Sequence, residues 1–449
     1  MIRITCHNDN VQERKYAIDI IFNTLLEIQC DAYEIVFDDA ITSYVINNCN
    51  HKIIIEDHFF IFFQEPLSYL NKKNIPVELK YYHAFDKEIP IIYGKDILER
   101  ESKTTRIGLD IFASTFFMLT RWEELLLGRE KKGDCDESQL FAVKQGIYNR
   151  PIINEYADFL RTLLPSDIQF PSRKYKVVLS HDVDGFRTPS WKRIAKDLVK
   201  QLVNGAPKNK LINLTWWEKI KYKIAFPTSY SQFDMYTALA EKYNISEWFY
   251  FKVCSKGEKE ATYMFDDKQT KEIVDKLKKG NNSNIILGFH PSQNVFDNKQ
   301  QWDKEVSRIT GLIHEKPTIG RNHHLLFNYM TLRLWENILD TPLNISNCVF
   351  HKTQGFRSGV CVPYRLFDLF GRRVMNLIEH PCQIIDTVIR YDAKNKSKED
   401  RWTDIRNCIE YVKKYQGELV LTWHIYIRNK KIIQDYYRWS EKVVQYAVK

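Results

Sequence analysis

Tyr175-Lys176-Val177-Val178-Leu179-Ser180-His181-Asp182-Val183-Asp184 is an apolar run that ends in two carboxylates. The part from Tyr175 to Leu179 has the composition of a buried β-strand, and both acids follow it. Two carboxylates two positions apart can turn toward one locus, where one binds a hard cation and the other accepts a proton. The pattern is weak on its own, because an aspartate before a glycine, as Asp184 stands before Gly185, often caps a turn.

Short apolar strands alternate with amphipathic helices along the rest of the chain. Further strands are predicted at Glu247–Val253, Asn284–Phe289, Pro317–Ile319, Gln354–Phe356, Asn376–Glu379 and Leu419–Trp423. Helices are predicted at Lys268–Lys279, Lys304–Leu312, Thr331–Leu339, Thr403–Lys413 and Ile432–Ala447. This alternation is typical of parallel β/α units, and seven such units predict a (β/α)7 barrel, hence an α/β fold.

The length of the chain, 449 residues, favours two domains, because it exceeds the usual size of one hydrophobic core. The first part shows a mixed pattern, with strands predicted at Met1–Ile4, Ile35–Phe37 and Ile53–Ile55. A polar connector bounded by prolines spans Pro165–Pro171. The sequence therefore predicts a smaller α/β domain of unknown role over residues 1–165, followed by the barrel over residues 172–449.

Polar side chains follow several of the predicted strands at their carboxyl ends. His290 comes after the third strand and before a proline, Arg357 after the fifth, and His424 after the last. In β/α barrels all strands deliver their loops to one mouth, so these side chains are expected to share a site with Asp182 and Asp184. Each of them, considered singly, is also typical of an ordinary core or rim residue.

Arg321-Asn322-His323-His324 adds two imidazoles after another predicted strand. Adjacent residues of an extended chain point in opposite directions, so either His323 or His324 faces the site, not both. Two histidines and one carboxylate are a common protein contribution to a metal ion that keeps open positions for water. The sequence thus predicts a metal site that takes one of these two histidines.

Charge and cysteine content restrict the partners and the compartment. The formal charge is +9, and the segment from Trp191 to Lys223 is locally basic. Such a segment is usually a solvated face, but Trp216-Trp217 within it also suits a membrane interface or a lipid-linked phosphate. The nine cysteines are scattered without a C-x-x-C pair, and the start lacks the apolar run of a signal peptide. We therefore expect a cytoplasmic protein with reduced thiols and no nucleic-acid partner.

From about Tyr175 to His424 the chain resembles the polysaccharide deacetylase family of carbohydrate esterases, whose domain is a distorted β/α barrel with five motifs in this order. Ser180-His181-Asp182-Val183-Asp184 resembles the first motif. The resemblance implies that Asp182 is the catalytic base and Asp184 a metal ligand. It also implies the following roles for residues of the later motifs: a metal ligand at His290, an arginine that positions the base at Arg357, an acid at Asp386 and the general acid at His424.

Two departures from the family pattern affect the metal site. Asn294 stands where the family has a second histidine, four residues after the first, and Val183 separates two acids that are adjacent in most of the family. An Arg-x-His stretch at this place resembles a feature of one branch of the family, which implies that His323 replaces the missing ligand. The resemblance thus implies a divalent cation, Zn²⁺ by preference, held by Asp184, His290 and His323.

Residues 1–165 resemble the N-terminal companion domain of a bacterial branch of the family, notably at Asp110–Leu119 and Arg150–Tyr156. The whole resemblance implies a metal-dependent hydrolase that removes an N- or O-linked acetyl group from a glycan or a sugar intermediate of surface polysaccharide biosynthesis. A nucleotide-linked or lipid-linked sugar on the inner membrane face would suit a cytoplasmic enzyme better than an external polymer. Two alternatives stay open: hydrolysis of another amide, and a non-catalytic carbohydrate-binding protein with a degraded site, which Asn294 favours.

Overall fold

The structure is a computed structural model that describes residues 1–449 except 49–50, 85–86, 165–167, 169, 206–213, 259, 261, 281–283 and 427–429. Part of the predicted connector Pro165–Pro171, together with Lys208 and Lys210 of the basic segment, lies outside the described residues. The chain forms two compact units. The first comprises Met1–Tyr175, Leu325–Gln383 and Asn407–Leu419, and the second Lys176–His324, Ile384–Arg406 and Val420–Lys449.

The first unit contains a six-stranded mixed sheet and a smaller group of three strands. The six strands, in sheet order, are Tyr33–Phe37, Ile2–Cys6, Ser43–Asn48, His51–Glu56, Thr104–Leu109 and Gly94–Arg100. The smaller group runs in the order Tyr364–Asp368, Arg373–Glu379 and Leu343–Ile345. A separate antiparallel pair joins Lys80–Ala84 to Lys87–Ile91.

The helices of the first unit pack their apolar residues into its core. They are Val11–Asp19, Ile111–Thr120, Trp122–Leu126, Arg129–Lys132, Phe141–Lys144, Ile152–Arg161 and Tyr329–Glu336, with short π- or 3₁₀-turns at Ile20–Leu25, Phe60–Phe62, Lys72–Asn74 and Glu137–Gln139. Every residue of Ile111–Thr120 is buried, and the Asp110 carboxylate caps this helix by accepting a hydrogen bond from the backbone N–H of Ala113 at 2.9 Å. This helix is thus a central part of the core of the first unit.

The second unit is built on parallel strands, each buried along most of its length. In sheet order these are Ile319–Gly320, Ile285–Phe289, Ser246–Phe251, Lys176–Val183, residues 420–422 of Glu418–Thr422, and residues 384–385 of Cys382–Ile385. The helices are Trp191–Asn204, Trp216–Ala225, Ser231–Tyr243, Lys268–Lys279, Lys299–Ile313, Asp386–Asp392, residues 398–406 of Lys398–Lys414, and Lys430–Ala447, with 3₁₀-turns at Gln293–Val295 and from His323.

The α/β class predicted from the sequence is confirmed. The described strands of the second unit form a row with two ends, so closure into a (β/α)7 barrel stays a prediction. The unit division also differs from the predicted domains, because residues 325–383 and 407–419 cluster with the N-terminal residues. Within the described part of the chain, no helix is both long and apolar enough to cross a membrane.

The predicted strand at Gln354–Phe356 is wrong, and Gly355 explains why. Gly355 has a φ of +146°, outside the range of a regular strand, and a Cβ at this position would collide with the carbonyl group of Tyr148. The neighbouring backbone N–H groups bond to separate segments, since Gly355 donates to the carbonyl of Gln383 at 3.1 Å and Phe356 to that of Tyr148 at 2.8 Å. Arg357 therefore follows a bend rather than a strand.

The carboxyl ends of the parallel strands place a set of polar residues at one edge of the second unit. Asp182 is the last residue but one of its strand. Three residues directly follow the strands that precede them: Lys252, His290 and Arg321. His424 lies two residues after the end of its strand. Gly288 allows the strand of Arg321 to approach closely, because a Cβ there would lie 2.8 Å from the carbonyl oxygen of Ile319.

Candidate active site

Asp182 and Asp184 point the same way because Val183 lies between them. Val183 is buried and forms a parallel bridge with Ile425, and strand alternation turns the residues on either side of it to the opposite face. His181, also on the buried side, has both ring nitrogens occupied, by the carbonyl of Trp423 at 2.8 Å and by Glu247 at 3.1 Å. The middle histidine of the motif is thus structural, and the two acids are available for chemistry.

Arg321 fixes the orientation of Asp182. Its Nη1 donates to Oδ1 of Asp182 at 2.9 Å and to the hydroxyl of Thr422 at 2.8 Å, and the side chain is buried. Burial alone would raise the pKa of Asp182, but the guanidinium of Arg321 and the neighbouring imidazoles outweigh it and lower that pKa below its ordinary value. Asp182 is accordingly an ionised, buried carboxylate whose second oxygen faces the site.

Asp184, His290 and His323 form a group that could hold a metal ion. One ligand atom from each lies within 4.8 Å of the others. Nε2 of His290 lies 4.0 Å and Nε2 of His323 3.5 Å from Oδ1 of Asp184. Asn294, at the position where a second histidine is expected, is exposed on the turn Gln293–Val295, and His323 instead completes this group of three.

Hydrogen bonds fix the two imidazoles with their Nε2 atoms toward Asp184. Nδ1 of His290 donates to the carbonyl oxygen of Arg321 at 2.6 Å, and Nδ1 of His323 donates to the carboxylate of Glu260 at 2.6 Å. A metal-binding histidine characteristically donates its other N–H to a carbonyl or carboxylate in this manner. Burial also lowers the pKa of His290 to about 4, which keeps its ring neutral and its lone pair available.

The residues present fit a divalent cation. Nε2 of His290 is buried and has no hydrogen-bond partner among the described residues, a costly state that a cation would relieve. Oδ1 of Asp184 likewise accepts no hydrogen bond among these residues and is paired with the ammonium of Lys252. Two nitrogens and one carboxylate oxygen suit Zn²⁺ and leave positions open for water and substrate. Lys252 opposes the cation, because its Nζ lies 3.1 Å from Oδ1 of Asp184.

His424 and Asp386 form a hydrogen-bonded pair on the other side of Asp182. Nδ1 of His424 lies 2.7 Å from Oδ1 of Asp386, whose second oxygen accepts the backbone N–H of His424 at 3.0 Å. Burial would lower the pKa of His424, but the Asp386 carboxylate outweighs it and raises that pKa to about 9. Nε2 of His424, which is 3.7 Å from Oδ2 of Asp182, therefore carries a proton at neutral pH.

Arg357, the arginine predicted to position the base, has a different environment. Its guanidinium bonds to Glu124 at 2.8 Å, to Glu137 at 2.5 Å and to the carbonyl oxygen of Val349 at 2.7 Å, all within the first unit. These partners occupy its donors, so the prediction that Arg357 holds Asp182 is corrected to Arg321. The reason is the bend at Gly355, which removes the strand on which the prediction depended.

Two residues of the site were not identified from the sequence. Lys252 directly follows the strand Ser246–Phe251, but the predicted strand Glu247–Val253 included it, so the strand-end rule that found His290 missed it. Glu260 lies in a loop and orients His323. Burial raises the pKa of Glu260, but His323, the backbone N–H of Gln293 and the charge of Lys252 outweigh burial and lower that pKa below its ordinary value. No local pattern marks Glu260, because its partner is 63 residues away in the chain.

A family model matches only the N-terminal part of the chain. The family of unknown function DUF7033 matches residues 2–169, and no curated protein matches the chain. Among solved structures, one from Bordetella bronchiseptica is assigned as a polysaccharide deacetylase involved in O-antigen biosynthesis. It is 11% identical, with 61% of this chain and 85% of that chain covered and a TM-score of 0.29.

A second similar structure comes from Mycobacterium smegmatis and is also assigned as a polysaccharide deacetylase. The identity is 11%, the coverage is 61% of this chain and 86% of that chain, and the TM-score is 0.35. The family-model match ends before Asp182, the first residue of the candidate site, and so says nothing about that site.

Proposed function

We propose that the protein is a metal-dependent hydrolase that removes an acetyl group from nitrogen or oxygen of a glycan or a sugar intermediate of surface polysaccharide biosynthesis. The observation that carries the proposal is the position of Oδ2 of Asp182. It lies 3.9 Å from Nε2 of His290 in the cation-binding group and 3.7 Å from Nε2 of His424. A base and an acid on two sides of a cation site are the groups that hydrolysis of an acyl bond requires.

Asp182 and His424 divide the proton transfers between them. A divalent cation, when bound, supplies Lewis-acid polarisation of the acetyl carbonyl and of a water molecule. Oδ2 of Asp182 accepts a proton from the water as its oxygen bonds to the acyl carbon. Nε2 of His424 then donates its proton to the departing sugar nitrogen or oxygen, the C–N or C–O bond breaks, and acetic acid leaves and ionises to acetate in solution. Transfer of the proton from Asp182 back to His424 restores both groups.

The charge states of the two groups support these roles. Asp182 has a lowered pKa and is a carboxylate at neutral pH, while His424, with a pKa of about 9, is an imidazolium. Arg321 and Asp386 hold them in these states without taking part in bond changes. Positioned acid and base groups of this kind typically contribute about 10²–10⁴-fold to the rate.

Acetate release by the purified protein tests the proposal. N-acetylated amino sugars and O-acetylated sugars would be supplied with and without a chelator, and the metal content would be measured in parallel. We expect release that the chelator abolishes and Zn²⁺ restores, and Asp182→Asn should keep the metal but lose turnover. Stoichiometric metal without release of acetate would favour another amide as substrate, and absence of bound metal would favour a non-catalytic protein.

A cytoplasmic location in a bacterium is part of the same proposal. It rests on the scattered cysteines, which suit a reducing compartment, and on the resemblance of the first part of the chain to a bacterial companion domain. Acylated sugars available in that compartment are linked to a nucleotide or to a lipid, rather than to an external polymer. Activity toward a lipid-linked substrate, compared with a free sugar in the acetate assay, would test this part.

A further inference from the structure

Two neighbouring helices of the second unit expose an unusual amount of apolar surface. The helical hairpin, defined here as Trp191–Asn204 and Trp216–Ala225, carries six of the sixteen large hydrophobic side chains that are exposed in the described part of the chain. Their exposed fractions are 59% for Trp191, 61% for Val199, 76% for Leu202, 77% for Val203, 51% for Trp217 and 69% for Ile224. Such clustering marks an interaction surface rather than the scattered apolar residues of an ordinary exterior.

The first helix of the hairpin has its apolar stripe toward solvent. Only Ile194 and Asp197 of its fourteen residues are buried. At 100° per residue, the exposed apolar side chains fall on one side of the helix, and exposed cations lie beside and among them. The apolar members are Trp191, Val199, Leu202 and Val203, and the cations are Lys192, Lys196 and Lys200, all exposed.

The second helix is held by its inner face. Tyr222 packs with Phe226 and Ile433, and Lys219 forms an ion pair with Asp197 of the first helix at 2.5 Å. These contacts leave Trp217 and Ile224 outward. Cations lie against the exposed rings: Nζ of Lys221 is 5.5 Å from the ring centre of Trp217, and Nζ of Lys223 is 5.6 Å from that of Trp191.

We propose that the helical hairpin docks on a bilayer that carries anionic lipid headgroups. Apolar and tryptophan side chains bordered by lysines match the boundary between acyl chains and anionic headgroups, because each class of side chain meets its preferred environment there. A second copy of this chain would instead bring the same lysines together, and like charges repel. The surface therefore fits an anionic bilayer better than it fits itself.

Docking would bring the candidate site to the membrane surface. The first helix begins after its cap at Ser190, six positions beyond Asp184, so the hairpin belongs to the loop that follows the two acids. The hydroxyl of Thr188 within that loop donates to the carbonyl of Phe226, just past the second helix, at 3.2 Å. A sugar linked to a lipid is then the substrate class, a step that rests on the proposed function, whereas the docking does not.

Co-sedimentation with vesicles tests the docking. The full chain would be mixed with vesicles of phosphatidylcholine alone and with vesicles that also contain phosphatidylglycerol. We expect binding to the second kind only, weakened by added salt. Leu202→Glu with Val203→Glu should lower vesicle affinity by at least about tenfold, since both side chains would leave the apolar boundary. Both residues are highly exposed, so the fold should tolerate the change.

Matched variants distinguish an effect of the helical hairpin from a general effect of adding glutamates to the protein. Val77→Glu alters an equally exposed apolar residue, 80% exposed in the first unit, and should leave binding unchanged. Lys196→Glu with Lys200→Glu should weaken binding to the anionic vesicles, whereas Lys268→Glu with Lys271→Glu, on another helix of the second unit, should not. The proposal would be overturned if the wild-type protein did not bind anionic vesicles, or if the Leu202→Glu, Val203→Glu variant bound them as tightly as the wild-type protein.

Two further measurements complete the test. A dimer in solution that dissociates in the Leu202→Glu, Val203→Glu variant would assign the surface to a second copy and overturn docking on lipid. Acetate release from a soluble substrate without vesicles should be unchanged in this variant. Loss of vesicle binding with retained acetate release in this variant would support the docking and agree with the proposed function. Vesicle binding by a wild-type protein that releases no acetate would contradict the proposed function and leave the docking supported.

Discussion

Nη1 of Arg321 lies 2.9 Å from Oδ1 of Asp182, and the backbone carbonyl of the same arginine accepts a hydrogen bond from Nδ1 of His290 at 2.6 Å. One residue therefore orients the proposed base with its side chain and a proposed metal ligand with its main chain. The guanidinium leaves only Oδ2 of Asp182 for a proton. This double role predicts that side-chain changes at Arg321 separate catalysis from metal binding.

Arg321→Lys should lower kcat by about 10²-fold with little loss of bound metal. Lysine keeps the positive charge but cannot bond Asp182 and Thr422 together in the fixed geometry of a guanidinium. The carbonyl that holds His290 is unaffected by the change. Steady-state kinetics and metal analysis would check this expectation, with Arg308→Lys, at an arginine that bonds Glu258 and the carbonyl of Val253, as the control. Equal losses of activity in the two variants would contradict it.

Asp386→Asn should move the alkaline limb of the pH–rate profile to lower pH. The Asp386 carboxylate is the largest of the charges that raise the pKa of His424 to about 9 against the effect of burial, so that pKa falls when this charge is removed, although Asp182 and Asp184 still raise it. An acid must be protonated to act, so the wild-type rate is retained up to about pH 9 and lost above it. In the variant the loss should begin at a lower pH. A profile of kcat with an unchanged alkaline limb would remove His424 from the role of acid.

Strand ends could be predicted from the sequence, and much of the site came with them. Asp182, His290 and His424 end apolar runs, so local hydrophobic pattern is enough to place them at the edge of a sheet. Arg321 was seen only as part of a histidine-rich stretch, because its strand has two residues and no pattern of its own. Its partner Asp182 is 139 residues away, a separation that periodicity does not record.

The assignment of segments to the two units was beyond the reach of local pattern. A strand such as Arg373–Glu379 would show the same alternation of apolar residues in either unit. The alternation indicates that one face of the strand is buried, but it does not indicate which of the two cores buries that face. The prediction of one continuous barrel therefore included residues 325–383, which cluster with the N-terminal part. The predicted strand Gln354–Phe356, and with it the placement of Arg357 in the site, was wrong for a related reason. A glycine such as Gly355 is compatible with a strand and with a bend, and the local sequence does not distinguish them.

His323→Ala should remove most of the metal-binding affinity, whereas His324→Ala should not. Only the first of these adjacent histidines belongs to the group with Asp184 and His290, and the backbone of the second is left-handed, with a φ of 54°. Titration of each purified variant with Zn²⁺ would check the difference, which the sequence left open. Equal affinity in both variants would place the third ligand elsewhere.

Glu260→Gln should weaken metal binding by about 10–100-fold through His323. The carboxylate of Glu260 accepts the Nδ1 proton of His323 at 2.6 Å and so makes its Nε2 more basic and fixes its direction. Glutamine keeps the size and one acceptor but removes the charge. Zn²⁺ titration would measure the loss, and Glu258→Gln, a neighbouring carboxylate that pairs with Arg308 instead, is the matched control. An affinity as high as that of the control would show that His323 needs no such partner.

Lys252→Met should have opposite effects on metal binding and on the stability of the metal-free protein. Nζ of Lys252 lies 3.1 Å from Oδ1 of Asp184, where it neutralises this carboxylate and repels a cation that would bind there. Its removal should tighten Zn²⁺ binding by at least about tenfold, because a competing charge is lost.

Without metal, the same variant leaves the oxygen of Asp184 unpaired and should lower the free energy of unfolding by about 1–3 kcal/mol. Denaturant unfolding with and without Zn²⁺ would measure both effects, and Lys256→Met, at an exposed lysine four residues on, should change neither. Weaker Zn²⁺ binding in Lys252→Met would mean that Lys252 supports the cation site rather than opposing it. Because the two effects have opposite signs, a general loss of structure cannot produce the expected pair.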